Sequence, residues 1–158
     1  MFRDIRRNRQ CLTKEECIDI LEHGSDGILS VLGDDDYPYG IPLNYFYYNG
    51  KIYFHCAKTG HKTDAINKHD KVSFCVVDKR KILPEMYATE YTSVIIFGRA
   101  KIMTDPEAMH RLVQLLALKY CPGDHEGVLA ETNRDFPALS MIEVTPEHMT
   151  GKKSKNLI

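Results

Sequence analysis

Two strand-like runs, Ile41 to Tyr48 and Lys51 to Cys56, stand on either side of Asn49-Gly50. That dipeptide constrains the chain more than any other feature, because a two-residue hairpin turn needs left-handed backbone at both positions and Asn-Gly adopts it at little cost. With Asn49 and Gly50 as the turn, Tyr48 falls opposite Lys51, Phe46 opposite Tyr53 and Asn44 opposite His55. Side chains alternate along a strand. Leu43, Tyr45, Tyr47, Ile52, Phe54 and Cys56 therefore share one face, and Asn44, Phe46, Tyr48, Tyr53 and His55 the other. Both faces carry aromatics, whereas a solvated face would be mostly polar. The second face is thus expected to meet a ligand or a partner subunit, with Asn44 and His55 as its polar members.

The flanking sequence supplies more short strands. A helix start is written at Thr13-Lys14-Glu15-Glu16, where the Thr13 hydroxyl and the Glu16 carboxylate can cap each other's amides, and Gly24 ends that helix. Gly27 to Leu32, Val72 to Val77, Thr92 to Met103 and Ser140 to Val144 read as strands, with Gly98 marking a bulge or a close backbone approach. Thr63 to Lys68 reads as a short helical stretch. Thr104-Asp105-Pro106-Glu107 opens a longer helix whose Met109, Leu112, Val113, Leu116 and Tyr120 repeat on one face. Pro122 to Pro137 reads as a polar connection. Many short strands without βαβ alternation point to a mainly β fold, an antiparallel barrel with peripheral helices.

At 158 residues the chain has room for one core. We expect a single domain over residues 1–158, with residues 1–12 as an N-terminal arm and residues 147–158 as a basic C-terminal tail. A net charge of −1 gives no long-range attraction to nucleic acid or anionic lipid, so a phosphate must be met by a local cluster. Neither nucleic acid nor membrane is an expected partner. The five cysteines are odd in number and show no CxxC pairing, which argues against a disulfide framework or a zinc knuckle. Free thiols, and no apolar run long enough for a signal peptide or a membrane span, lead us to expect a cytoplasmic protein.

Two constellations can carry chemistry. Thr59-Gly60-His61-Lys62-Thr63 sets a hydroxyl, a flexible backbone, an imidazole and an ammonium at a helix start, which suits a phosphate. An ordinary turn with a solvated lysine has the same composition. His55 and Asn44, as cross-strand neighbours on an aromatic face, suit a planar heteroaromatic ligand. No metal is expected, since the spacings of His55, Cys56, His61, His69 and Cys75 match none of the usual zinc pairs. No Gly-x-Ser-x-Gly elbow or nucleophilic cysteine context occurs.

Pro42-Leu43-Asn44-Tyr45, then Asn49-Gly50 through His55-Cys56-Ala57, then Gly60-His61-Lys62 form an order that resembles the pyridoxamine 5′-phosphate oxidase-like split-barrel flavoproteins, and closely their nitroimidazole-resistance branch. The resemblance extends to Ser93–Ala100, the following helix and the closing His148-Met149-Thr150-Gly151-Lys152. It implies an FMN-binding split β-barrel and a homodimer with flavin at the subunit interface. The ring would lie along Pro42, Leu43, Asn44 and Tyr45, and the phosphate near Ala57, Lys58, Gly60, His61 and Lys62, with Ser93 a further cofactor contact. Some relatives carry arginine where His61 stands. FAD shares the ring and the proximal phosphate with FMN. The resemblance implies an oxidoreductase passing electrons from a reduced nicotinamide or other donor to a small acceptor such as a nitroaromatic, with His55 as the polar group near flavin or substrate. The rival readings are a flavin-binding or flavin-storage protein without turnover and, less favoured, a haem protein using His55 or a neighbouring histidine.

Overall fold

In the computed structural model, which describes residues 2–158, seven antiparallel strands and four helices follow one another in an order set by local signals. Met1, the first residue of the expected arm, lies outside the described residues. Helix α1 (Lys14–His23) begins on the Thr13–Glu16 capping box, with Thr13 Oγ1 accepting from the Glu16 amide and Glu16 Oε2 from the Thr13 amide. Strand β1 (Asp26–Leu32) turns its Gly27, Leu29 and Val31 inward, and β2 (Pro38–Asn44) returns beside it. After Tyr45 come β3 (Phe46–Tyr48), the Asn49-Gly50 turn with φ of 48° and 77°, and β4 (Lys51–Ala57). Helix α2 (His61–Lys68), the long hairpin of β5 (Lys71–Leu83) and β6 (Ala88–Ile102), α3 (Pro106–Tyr120), α4 (His125–Asp135) and β7 (Leu139–Lys153) complete the chain.

The strands lie in the order β2-β1-β5-β6-β7-β4-β3. The two edge strands, β2 and β3, are consecutive in sequence, so the barrel closes there through the covalent chain at Tyr45 and remains split beyond it. That joint is buried and latched. The Tyr45 amide donates to the Tyr120 hydroxyl (3.0 Å), while the Tyr45 carbonyl accepts from that hydroxyl (2.8 Å) and from Lys119 Nζ (3.2 Å). Inside, Phe74 meets Tyr45 and Phe54 edge to face, at 5.0 Å and 5.1 Å between ring centroids.

The hairpin register is the one read from Asn-Gly, with Phe46 opposite Tyr53 and Tyr48 opposite Lys51. It stops there. Asn44 belongs to β2 and pairs with Asp26, and His55 pairs with Met141 of β7, so the expected Asn44–His55 neighbourhood does not form. The aromatic face expected to meet a ligand or partner is covered by this chain's own α3. Tyr53 packs with Leu112, Val113 and Met141, and Phe46 and Tyr48 lean on the same cluster. Part of the expected polar connection is α4, started by Asp124 accepting from the Gly127 amide. Residues 147–153 of the expected tail belong to β7, with 148–153 paired to β6 and Glu147 at the register shift, and only the last residues form a terminal turn. Gly98 meets both expectations: the β6–β7 register shifts at Phe97/Gly98, and a side chain there would strike the Thr145 carbonyl.

Candidate flavin site at the split of the barrel

Strand register places Pro42 opposite Ile28, Ile28 opposite Cys75, Cys75 opposite Ile95 and Ile95 opposite Thr150, a single row across the outer face of the sheet. The next row contains Val77, Ser93 and Lys152. Thus Pro42 and Ser93, far apart in sequence, share one outward surface. It is unusually apolar for a surface: Ile28 is 42% exposed, Ile95 40%, Phe97 42% and Val77 54%. Asn44 also faces outward at the end of β2, where its Nδ2 donates to the Ser25 carbonyl (3.1 Å). Leu43 packs against the core and Tyr45 is fully buried, so these two offer a ligand backbone rather than side chains.

The Ala57–Lys62 loop lies beyond the end of β4, next to the split. Gly60 caps α2 with φ of 142°, a conformation that favours glycine, and a side chain built on it would meet nothing within 4 Å. The loop therefore leaves room for a group to approach the first amides of α2, which have no partner within the helix. Among the described residues, Lys58 and Lys62 make no ion pair, whereas Lys68 at the other end of α2 pairs with Asp34 at 3.4 Å. Thr63 Oγ1 donates to the Gly60 carbonyl (2.7 Å), fixing the turn. The His61 ring is directed toward the β1–β2 turn. It stacks on Tyr39 (4.4 Å between centroids), and its Nε2 accepts from the Asp34 amide (3.2 Å) with Asp34 Oδ2 3.6 Å away, so that nitrogen is already engaged at the turn.

His55 stands apart from that outer row. It lines a cavity of about 470 Å³ between β4, α3 and α4. Burial lowers its pKa from the ordinary histidine value, and the charge of Lys62 lowers it further. Cys56 is pushed up by burial, with Lys62 opposing. One lysine therefore acts on the end of β4 as well as on the phosphate-suited loop. The structure brings Ala57, Lys58, Gly60, His61 and Lys62 together at one end, sets Pro42, Asn44 and Ser93 on the outer face, and leaves His55, itself exposed, at the rim of the cavity beside α3 and α4.

Several residues escaped the sequence reading. Lys119 lies 4.3 Å from the Tyr45 ring centroid and has a pKa lowered by burial. Together with Tyr120 it holds the joint that creates the split. Glu143 is a buried carboxylate beneath α3. Burial pushes its pKa up, but Lys51 (2.9 Å) and Lys101 (3.1 Å) outweigh burial and hold it below the ordinary value. Tyr53, donating to Glu143 at 3.3 Å, is pushed up to about 12 by burial, that charge and the hydrogen bond. Ile28 and Ile95 were signalled by consecutive apolar residues in a strand, but only register shows that they form one row.

Comparison with solved structures shows the same fold at low identity. A conserved hypothetical protein of Mycobacterium tuberculosis, Rv2991, superposes with a TM-score of 0.84 at 18% identity, covering 98% of this chain and 92% of that one. A candidate 5-nitroimidazole antibiotic resistance protein from Bacteroides thetaiotaomicron gives 0.73 at 17% identity, with 90% and 86% covered. An FAD and heme binding protein from Mycobacterium smegmatis gives 0.78 at 15% identity, with 90% and 72% covered. No curated protein matches the sequence. The family model described as pyridoxamine 5′-phosphate oxidase matches residues 13–153, nearly the whole barrel with its helices, and the chain belongs to that family.

Proposed function

We propose that this chain is a flavoprotein, holding the ring and proximal phosphate common to FMN and FAD across the split of its barrel. One observation carries the reading: a loop suited to phosphate, with two unpaired lysines and an open glycine, lies at the split beside an outward apolar sheet face that includes Pro42 and Ser93. Along β2 they are about 10 Å apart: His61 stacks on Tyr39, which turns toward the core, and Pro42, three residues further, turns outward, so the ligand would pass over the open edge of β2. The solved relative described as binding FAD and heme supports the same assignment.

In this reading Lys58, Lys62 and the first amides of α2 hold the phosphate, and Gly60 keeps the approach open. His61 contributes its amide while its ring braces the turn. Pro42 and Ser93 meet the ring, Asn44 fixes the end of β2, and Leu43 and Tyr45 present backbone groups. A bound flavin supplies the electron chemistry, and the protein positions it and shields it from water. The exposed apolar row from Pro42 to Ile95 is the surface for a second copy of the chain, which would cover the ring from the other side. The reaction we assign is oxidoreduction of a small acceptor, such as a nitroaromatic, by a reduced nicotinamide or a comparable donor in the cytoplasm.

The absorption spectrum of the purified protein, with mass spectrometry of the released cofactor, tests the assignment. Flavin bands are expected, and a Soret band without them would replace the flavin reading with haem. Sustained oxidation of a reduced nicotinamide in the presence of an acceptor is expected of the enzyme. Tight flavin binding without turnover would leave a binding or storage protein.

A further inference from the structure

Four of the eight residues from Phe2 to Arg9 are arginines, and the fold holds this arm in place. The Leu12 amide donates to the Gly151 carbonyl (2.9 Å), Cys11 bridges to Lys152, and the Ser154 amide donates to the Tyr91 carbonyl (2.9 Å), so the arm and the C-terminal turn are fixed side by side at the end of β7. Between them lies an open cleft of about 760 Å³, within the range of small-ligand pockets. Arg6, Arg7, Arg9 and Lys155 line it, and no Asp or Glu does. Among the described residues none of these four cations makes an ion pair, whereas Lys153, just before the turn, pairs with Glu16 at 3.7 Å. Four unpaired cations in one cleft repel one another and favour an anion of more than one charge.

The remaining members of the cleft define what the anion is attached to. Asn8 and Gln10 contribute carboxamides, and Ile158 an apolar wall. Gln10 is only 5% exposed, yet its Oε1 has no hydrogen-bond partner, and Ser154 Oγ at the same junction is equally unpaired. A buried acceptor without a donor is costly, and rotation of the Gln10 carboxamide toward the cleft would let a ligand supply one. Carboxamides pair in bidentate fashion with the amine and ring nitrogen of adenine, while arginine forks match phosphate oxygens. The cleft is also remote from the flavin loop. Ala57 pairs with Leu139, the first residue of β7, whereas the cleft follows Lys153, the last, about 45 Å further along the strand. One phosphate cannot be held by both clusters of a single chain. We propose that the cleft is a second anion site and takes a nucleoside diphosphate of the ADP class. Arg6, Arg7, Arg9 and Lys155 hold its phosphates, and Asn8, Gln10 and Ile158 seat its base.

The test is calorimetric titration of the FMN-saturated protein with ADP and with inorganic pyrophosphate, in the wild type, Arg7→Gln, Lys155→Gln and the control Lys71→Gln. All three positions are exposed, so the variants keep the fold. One ADP per chain is expected, bound about tenfold more tightly than pyrophosphate because the base adds its own contacts. Arg7→Gln and Lys155→Gln, from the two sides of the cleft, should each weaken both probes by about tenfold or more, and Lys71→Gln by less than about twofold. FMN affinity should be the same in all four proteins. No ADP binding at millimolar concentration, an equal loss in all three variants, or equal affinities for ADP and pyrophosphate would overturn the nucleotide site. Loss of FMN affinity in Arg7→Gln would overturn it too, by making the cleft part of the flavin site. ADP binding with this variant pattern in a protein that takes no flavin would leave the cleft standing and overturn the flavin reading alone.

Discussion

Two apolar sheet faces of this molecule have met different fates. On one, Tyr53 and Met141 lie beneath Leu112 and Val113 of α3, with Tyr53 only 6% exposed. On the other, Ile28, Cys75, Ile95 and Phe97 line the outer surface of β1, β5 and β6, and no helix of the described residues closes over Ile28 or Ile95. Both faces look alike as strand patterns, with apolar residues where a solvated surface would be polar. The difference is that α3 docks on the first, anchored at its far end by Lys119 and Tyr120. Alternation reveals that a face is covered; what covers it is decided by a helix distant in sequence.

The largest expected effect lies on the covered face. Leu112→Ala should lower the unfolding free energy in urea by about 2–5 kcal/mol, since it opens a cavity between α3 and the sheet, and should leave the sedimentation coefficient of the folded protein unchanged. A loss below about 1 kcal/mol would mean that α3 is only loosely docked. The open face should respond in the opposite way. Ile95→Asp places a charge on an already exposed position and should leave folding nearly intact, yet weaken self-association by on the order of 100-fold, about 2.7 kcal/mol. Sedimentation should then show a species of single-chain mass where the wild type shows twice that mass. A wild type that sediments as a single chain at micromolar concentration would assign the open face to some other partner.

Local signals made much of this fold legible. The Thr13–Glu16 capping box, the Asp105 cap before Pro106 and the Asn49-Gly50 turn each depend on a few adjacent residues, and each appears where the sequence puts it. The Asn44–His55 pairing failed because the break at Tyr45 is held by Lys119 and Tyr120, more than 70 residues away. Helix α4 was hidden because it buries only Val128 and Thr132, too little for an apolar stripe. Residues 147–153 looked like a charged tail because their partners in β6 cannot be inferred from their own composition. The site divides the same way: the loop from Ala57 to Lys62 was legible as a unit, while the common face of Pro42 and Ser93 needed the register of four strands.

Between the two faces lies the loop, and a pair of lysines sharpens its role. Lys62→Ala should weaken flavin binding by about 1.5–3 kcal/mol, the cost of losing a charge-assisted contact to phosphate. Lys68→Ala removes the same charge from the same helix but only breaks an exposed pair with Asp34, and should change flavin affinity by a few tenths of a kcal/mol. Titration of flavin fluorescence measures both. Equal affinities for the two variants would remove the loop from the site.

The smallest effect concerns His55, which marks where the cover provided by α3 gives way to the cavity. Burial, and then the charge of Lys62, lower its pKa in the folded protein, while in the unfolded chain it titrates near ~6.5. Between those two values the unfolded chain binds the proton more readily, so folding stability rises with pH. The stabilisation is therefore complete above about pH 6.5 and is lost as pH falls from there through the folded value. His55→Gln has no proton to take up, so its urea-derived stability should decline less than that of the wild type on acidification through this window. Superimposable stability profiles for wild type and variant would mean that the partial desolvation of this exposed residue is too slight to shift its titration. The border between the covered and the open surface would then lie nearer Tyr53.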